Sequence, residues 1–128
     1  MTSARRGIVL IVDDSETCAE TLQIALESFP GVEVRVAYTA AAGLRVLHSV
    51  SDPVAAVISD LQLPGMSGMD FLTRLRSESR FAQVPVLIIS GDTDPFAPQD
   101  ALSRGASAFF TKPYSPSEIR RKLEQLLS

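Results

Sequence analysis

The sequence predicts an α/β protein, a parallel sheet whose strands are joined by crossover helices. Three observations lead there. Short apolar runs rich in Val and Ile alternate with segments of helical period, five of each along 128 residues. The first run, Ile8 to Val12, contains no polar residue, as a central strand covered on both faces requires. The composition, 45% hydrophobic and 21% charged, is that of a globular chain with enough apolar surface for a core. One domain is expected over residues 1–128, because this length matches the commonest domain size.

After the first strand, Cys18, Leu22, Ala25, Leu26 and Phe29 recur at helical spacing as one apolar stripe, stopped by Pro30-Gly31. Cys18 is expected in the core on this pattern. Val32 to Ala37 alternates apolar residues with Glu33 and Arg35, which suits a strand near the sheet edge. Thr39 can cap the next helix, which turns Leu44 and Leu47 inward and ends before Asp52-Pro53. The third strand is "VAAVISD", Val54 to Asp60. A Pro64-Gly65 turn then leads to a helix start at Ser67, with Met69, Leu72 and Leu75 on its apolar side and Arg74 and Arg76 elsewhere.

The fourth strand is expected over Val84 to Ser90 and the fifth over Ala106 to Thr111. Between them, Pro95 and Pro98 confine the helix to a short span from about Pro98 to Arg104, with Gly105 as its left-handed stop. Ser115-Pro116-Ser117-Glu118 has the form of a capping box with proline at the first helical position. The last helix follows, burying Ile119, Leu123, Leu126 and Leu127.

Composition also excludes function classes. A net charge of -3 gives no basic stripe for nucleic acid, and Arg120, Arg121 and Lys122 are expected on a solvated helix face. Cys18 is the only cysteine, so an intrachain disulfide and a cysteine metal cage are excluded. The run behind the N-terminal arginines is too short for a signal or membrane segment, and a cytoplasmic location is expected. His48 has no second imidazole to form a metal or catalytic pair with.

A parallel sheet delivers the C-terminal ends of its strands to one edge, where open α/β folds bind ligands. Here those ends are Asp13-Asp14, Asp60, Ser90, and Thr111 followed by Lys112-Pro113. Singly, each has an ordinary explanation as a cap, turn residue or strand end. Together, three carboxylates, a hydroxyl and an ammonium are costly to gather without a cation to neutralise the acids. A hard divalent ion with oxygen ligands resolves the repulsion and leaves room for phosphate. Metal, carboxylate and lysine are the minimum set for phosphoryl transfer through an acyl phosphate.

"IVLIVDDS", "VISDLQLPGMSG", "VLIIS" and "GASAFFTKPYSPSEI" resemble, in that order and over essentially the whole chain, the receiver domain of two-component response regulators. The resemblance implies a flavodoxin-like (βα)5 sandwich with strand order 2-1-3-4-5. It implies Asp60 as phosphoacceptor, Asp14 as direct metal ligand, Asp13 as the acid holding the metal's waters, and the Gln62 main-chain carbonyl as a further ligand to Mg2+ or Mn2+. Lys112 is implied as the phosphate-contacting lysine, with a cis Lys112-Pro113 peptide. Ser90 and Phe109 are the implied switch pair, and Gln62 and Asp92 the positions influencing hydrolytic water.

The implied protein is a signalling switch, with no enzymatic output beyond its own phosphotransfer and dephosphorylation. Its phosphodonor is a histidine kinase or histidine phosphotransfer protein, and homodimer formation on phosphorylation is an open outcome. Two departures stand out. Phe109 lacks the hydroxyl of the tyrosine found there in many receivers, and Pro95 and Pro98 shorten or displace the fourth helix. Other readings are a phosphorylation-independent pseudo-receiver or a small aspartyl-phosphate phosphohydrolase, although the latter's D-x-D spacing is absent. A flavin carrier is disfavoured because acids replace its phosphate loop. The chain ends one residue beyond Leu127, which fits a stand-alone receiver or the receiver portion of a longer regulator or hybrid kinase.

Overall fold

The structure is a computed structural model describing residues 6–91 and 93–128. Five strands and five helices alternate: β1 (Gly7–Val12), α1 (Glu16–Glu27), β2 (Val32–Ala37), α2 (Ala40–Ser49), β3 (Val54–Asp60), α3 (Gly68–Ser77), β4 (Val86–Ser90), α4 (Ala97–Ser103), β5 (Ala108–Thr111) and α5 (Pro116–Leu127). The strands form one sheet in the order β2-β1-β3-β4-β5, with every neighbouring pair parallel. This is the flavodoxin-like receiver fold. β2 lies at an edge, and its alternating burial follows its alternating sequence.

Strand alternation divides the core between the two faces of the sheet. Leu10, Val12, Val57 and Ile88 pack with α2, α3 and α4, where Leu44, Leu47, Phe71, Leu72 and Leu75 are buried. Val9, Ile11, Ile58 and Ile89 pack with Leu22 and Leu26 of α1 and Ile119 and Leu123 of α5. Each large side chain buried this way contributes roughly 1.5–3 kcal/mol. Phe109 joins the first layer and its neighbour Phe110 the second.

Local chemistry sets several boundaries. Ser15, Thr39 and Ser67 cap α1, α2 and α3 by accepting from the Cys18, Ala42 and Asp70 amides. β4 begins at Val86, two residues later than the apolar run predicts, because Pro85 has no N–H to donate and gives only its carbonyl, to Val57. β5 begins at Ala108 because the Ala106 amide closes the end of α4 by donating to Ala101 O at 3.0 Å. α4 starts one residue before Pro98, which sits in its first turn.

Three expectations are corrected. Ser115 and Glu118 form no capping box: the Ser115 hydroxyl pairs with that of Ser117 at 2.7 Å, and Glu118 N–H donates to the Ser115 main-chain carbonyl. Cys18 is only half-buried, and Ala19 takes the inward position one residue on. Arg120 is no solvated charge: it donates to Ala25 O at 2.9 Å and lies 5.1 Å from the Phe29 ring centroid, joining α5 to α1.

A phosphate-accepting carboxylate site

β1 and β3 are adjacent and parallel, so their C-terminal ends bring Asp13 and Asp60 side by side. Asp14 completes the group: one carboxylate oxygen from each of the three lies within 4.8 Å of the others. Asp13 and Asp60 are 2% and 5% exposed, while Asp14 faces solvent. Lys112 enters from the end of β5, two strands away from β3. Its Nζ donates to Asp60 Oδ2 at 2.6 Å and to Asp13 Oδ2 at 3.5 Å. The Lys112–Pro113 peptide is cis.

The second oxygen of each buried acid is held by backbone. Asp13 Oδ1 accepts from Ser15 N–H at 2.9 Å, and Asp60 Oδ1 from Gln62 N–H at 2.9 Å. These turns fix both carboxylates before any ligand arrives. Burial nevertheless pushes the Asp13 carboxyl above its ordinary range; the Ser15 amide and Lys112 pull it down, and the charge on Asp60 pushes it up again. For Lys112, burial pulls the ammonium down, but the bond to Asp60 and the charges of Asp60 and Asp13 win, leaving it well above the usual lysine value. One ammonium is thus opposed by three acids. Three hard oxygen donors with residual negative charge fit a hard divalent cation.

Ser90 is fully buried at the end of β4, and its carbonyl accepts from Lys112 N–H at 2.8 Å. Phe109 is opposite Ile88 on β5, below the acid rim. Gln62 is exposed beside Asp60, and Asp92 lies outside the described residues. The structure therefore gathers Asp13, Asp14, Asp60 and Lys112, places Ser90 next to the lysine's backbone, and sets Phe109 one layer away.

Two residues of the site escaped the sequence. Gly68 opens α3 directly against the nucleophile strand: a Cβ there would sit 2.1 Å from Asp60 O and 2.7 Å from Leu61 Cα. Its φ is not positive, so the only sign in the sequence was a glycine at a first helical position that most residues can fill. Tyr114 is the second. With Thr17, Cys18 and Pro113 it lines a cleft of about 420 Å³ beside Lys112, and burial pushes its phenol up to about 12.

Buried paired acids at the carboxyl edge of a parallel sheet, with a lysine delivered by the last strand, define a phosphate-accepting α/β switch protein. Residues 9–124 match the family described as the response regulator receiver domain, and the chain belongs to that family. Chemotaxis protein CheY1 of Helicobacter pylori is 29% identical over 119 residues, which are 93% of this chain and 95% of that protein. Transcriptional regulatory protein KdpE of Mycobacterium tuberculosis is 36% identical over 116 residues, 91% of this chain but 49% of that protein. Among solved structures, a response regulator receiver protein from Pseudomonas putida superposes with a TM-score of 0.85 at 29% identity, covering 95% of this chain and 98% of that one.

The protein is a phosphoreceiver of two-component signalling, a switch rather than an enzyme, and its family implies a cognate histidine kinase. Among the described residues, no helix is long and apolar enough to cross a membrane.

Proposed function

We propose that Asp60 accepts the phosphoryl group, from a histidine kinase or a histidine phosphotransfer protein, in the cytoplasm, with residues 1–128 acting as one receiver domain. The observation that carries this reading is the state of Asp60: buried at a strand end, both oxygens engaged, and its only side-chain donor the ammonium of Lys112. A carboxylate oxygen of Asp60 attacks phosphorus, the O–P bond forms, and the P–N bond to the donor imidazole breaks, leaving the electron pair on nitrogen. Lys112 exchanges its bond to Asp60 for one to a phosphoryl oxygen, so it is counter-ion first and phosphate ligand afterwards.

Asp13, Asp14 and Asp60, with the Gln62 carbonyl, would hold Mg2+ or Mn2+. When bound, the ion supplies positive charge to the equatorial phosphoryl oxygens. The Ser90 hydroxyl then meets a phosphoryl oxygen, and Phe109 turns toward the space it leaves. Such a switch shifts only as far as the phosphorylated form stabilises one state over the other, so a few hydrogen bonds suffice for a partial response. Gln62 and Asp92 govern the approach of hydrolytic water, and homodimer formation on phosphorylation is a further consequence to measure.

The test is chemical. Acetyl phosphate with Mg2+ is expected to add one phosphoryl group by intact mass, and Asp60→Asn to abolish the addition. Undiminished labelling of Asp60→Asn would assign the acceptor elsewhere.

A further inference from the structure

The fourth helix is fastened unequally at its two ends. Its seven residues bury only Ala97 and Ala101, while Phe96 and Leu102 are 72% and 51% exposed. At its N-terminus no side chain caps the helix, and the Phe96 and Ala97 amides both donate to Asp94 within the same turn. Gly91, Thr93, Asp94, Pro95 and Phe96, leading there from β4, are all exposed.

The C-terminal end is different. Gly105, at φ +106°, closes the helix with two reverse bonds, its own N–H to Leu102 O at 3.1 Å and that of Ala106 to Ala101 O at 3.0 Å. The carbonyl of Gly105 accepts from Arg76 Nε at 3.0 Å and Nη2 at 2.8 Å, and the same guanidinium donates from Nη1 to Phe81 O at 2.9 Å. Arg104 adds a bond from Nη1 to Thr73 Oγ1 on α3 at 3.3 Å. Arg76 has no carboxylate within salt-bridge distance among the described residues; its work is to hold main chain. A Cβ on Gly105 would lie 2.9 Å from Arg76 Nε, so the turn rests directly against that side chain.

We propose that Arg76 is a positioning residue of the switch: by fixing the Gly105 carbonyl to α3 it makes the turn into β5 the stationary end of α4. A change at Ser90 then swings the Phe96 end of the helix and does not slide the helix as a whole. The inference rests on the phosphorylation switch proposed above. A displacement leaving the end of β4 reaches α4 through residues 91–96, at the loosely tied end. The far end is held by three bonds from one planar, charged fork, a grip that a lysine cannot reproduce. The helix is therefore a lever with Gly105 as its pivot.

Amide NMR of the full chain, before and after acetyl phosphate with Mg2+, tests this. In the wild type, shift changes at Phe96, Ala97 and Gln99 are expected to exceed those at Gly105 and Ala106 severalfold. Arg76→Met should bring the two ends to similar size and lower hydrogen-exchange protection at Ala106 by about tenfold or more. Arg76→Lys should resemble Arg76→Met.

Equal shifts at both ends in the wild type overturn the pivot whether or not the variants fold. Loss of protection in Arg76→Met with an unchanged pattern of phosphorylation shifts also overturns it, because Arg76 is then only structural. Absence of both shifts and phosphoryl mass gain overturns the phosphoacceptor reading, and the pivot with it.

Discussion

The two rims of the sheet treat charge in opposite ways. At the amino rim, where the helices end, arginines bind backbone carbonyls: Arg120 at the end of α1, Arg80 after α2, Arg76 after α4 and Arg6 at the end of α5. Arg80 alone reaches Leu47, Val50 and Asp52 carbonyls at 3.2, 2.8 and 3.1 Å. Each cation meets the negative end of a helix and carbonyls that the helix leaves unpaired. At the carboxyl rim, where the helices begin, three acids share one ammonium. The amino rim is balanced and static, whereas the carboxyl rim holds an excess of negative charge that a ligand must offset.

The largest blow to this division should come from Gly68→Ala. Its methyl group would collide with the Asp60 carbonyl, so α3 must move, costing about 3 kcal/mol and impairing phosphoryl uptake from a position that touches no phosphate. Denaturant unfolding read beside intact-mass labelling would show both losses. Next, Lys112→Met should slow uptake about a hundredfold by removing the charge that meets the phosphoryl oxygens. Because it leaves the acids less compensated, the variant should also gain more thermal stability from added Mg2+ than wild type does. An equal gain in both would separate the cation from the acid cluster.

At the amino rim, Arg80→Met should cost about 1 kcal/mol, a figure reduced for its exposure to water, and leave the phosphorylation rate unchanged. A changed rate would show that the rims are coupled. The smallest effect concerns pH. The Tyr114 phenol titrates near 12 in the folded chain against 10.0 ordinarily, so its contribution to stability is full below pH 10 and falls as pH rises toward 12. Tyr114→Phe should flatten that decline in alkaline denaturation, and the slope that remains should include Lys112, whose raised value has the same sign.

Much of this architecture was legible in the residues. Unbroken apolar strands, the 3.6-residue stripes and the acids at strand ends depend on local spacing, so β2 and β3 fell at their predicted limits and Asp13, Asp60 and Lys112 converged. The parts that escaped depend on partners distant in sequence. Arg76 looked like a surface residue because Gly105 is 29 positions away, and Arg120 because Ala25 is 95 away. Gly68 concealed its role because close approach of backbones leaves no periodic trace. Ser115 and Glu118 had the spacing of a capping box, but the Ser117 hydroxyl offered Ser115 a nearer partner.

The half-buried thiol of Cys18 gives the molecule a single attachment point, since the chain has no other cysteine. It opens onto the same cleft as Lys112 and Tyr114. A small environment-sensitive fluorophore coupled there would stand beside the ammonium whose bonds rearrange when phosphate arrives. Switching could then be timed optically in the otherwise unaltered sequence.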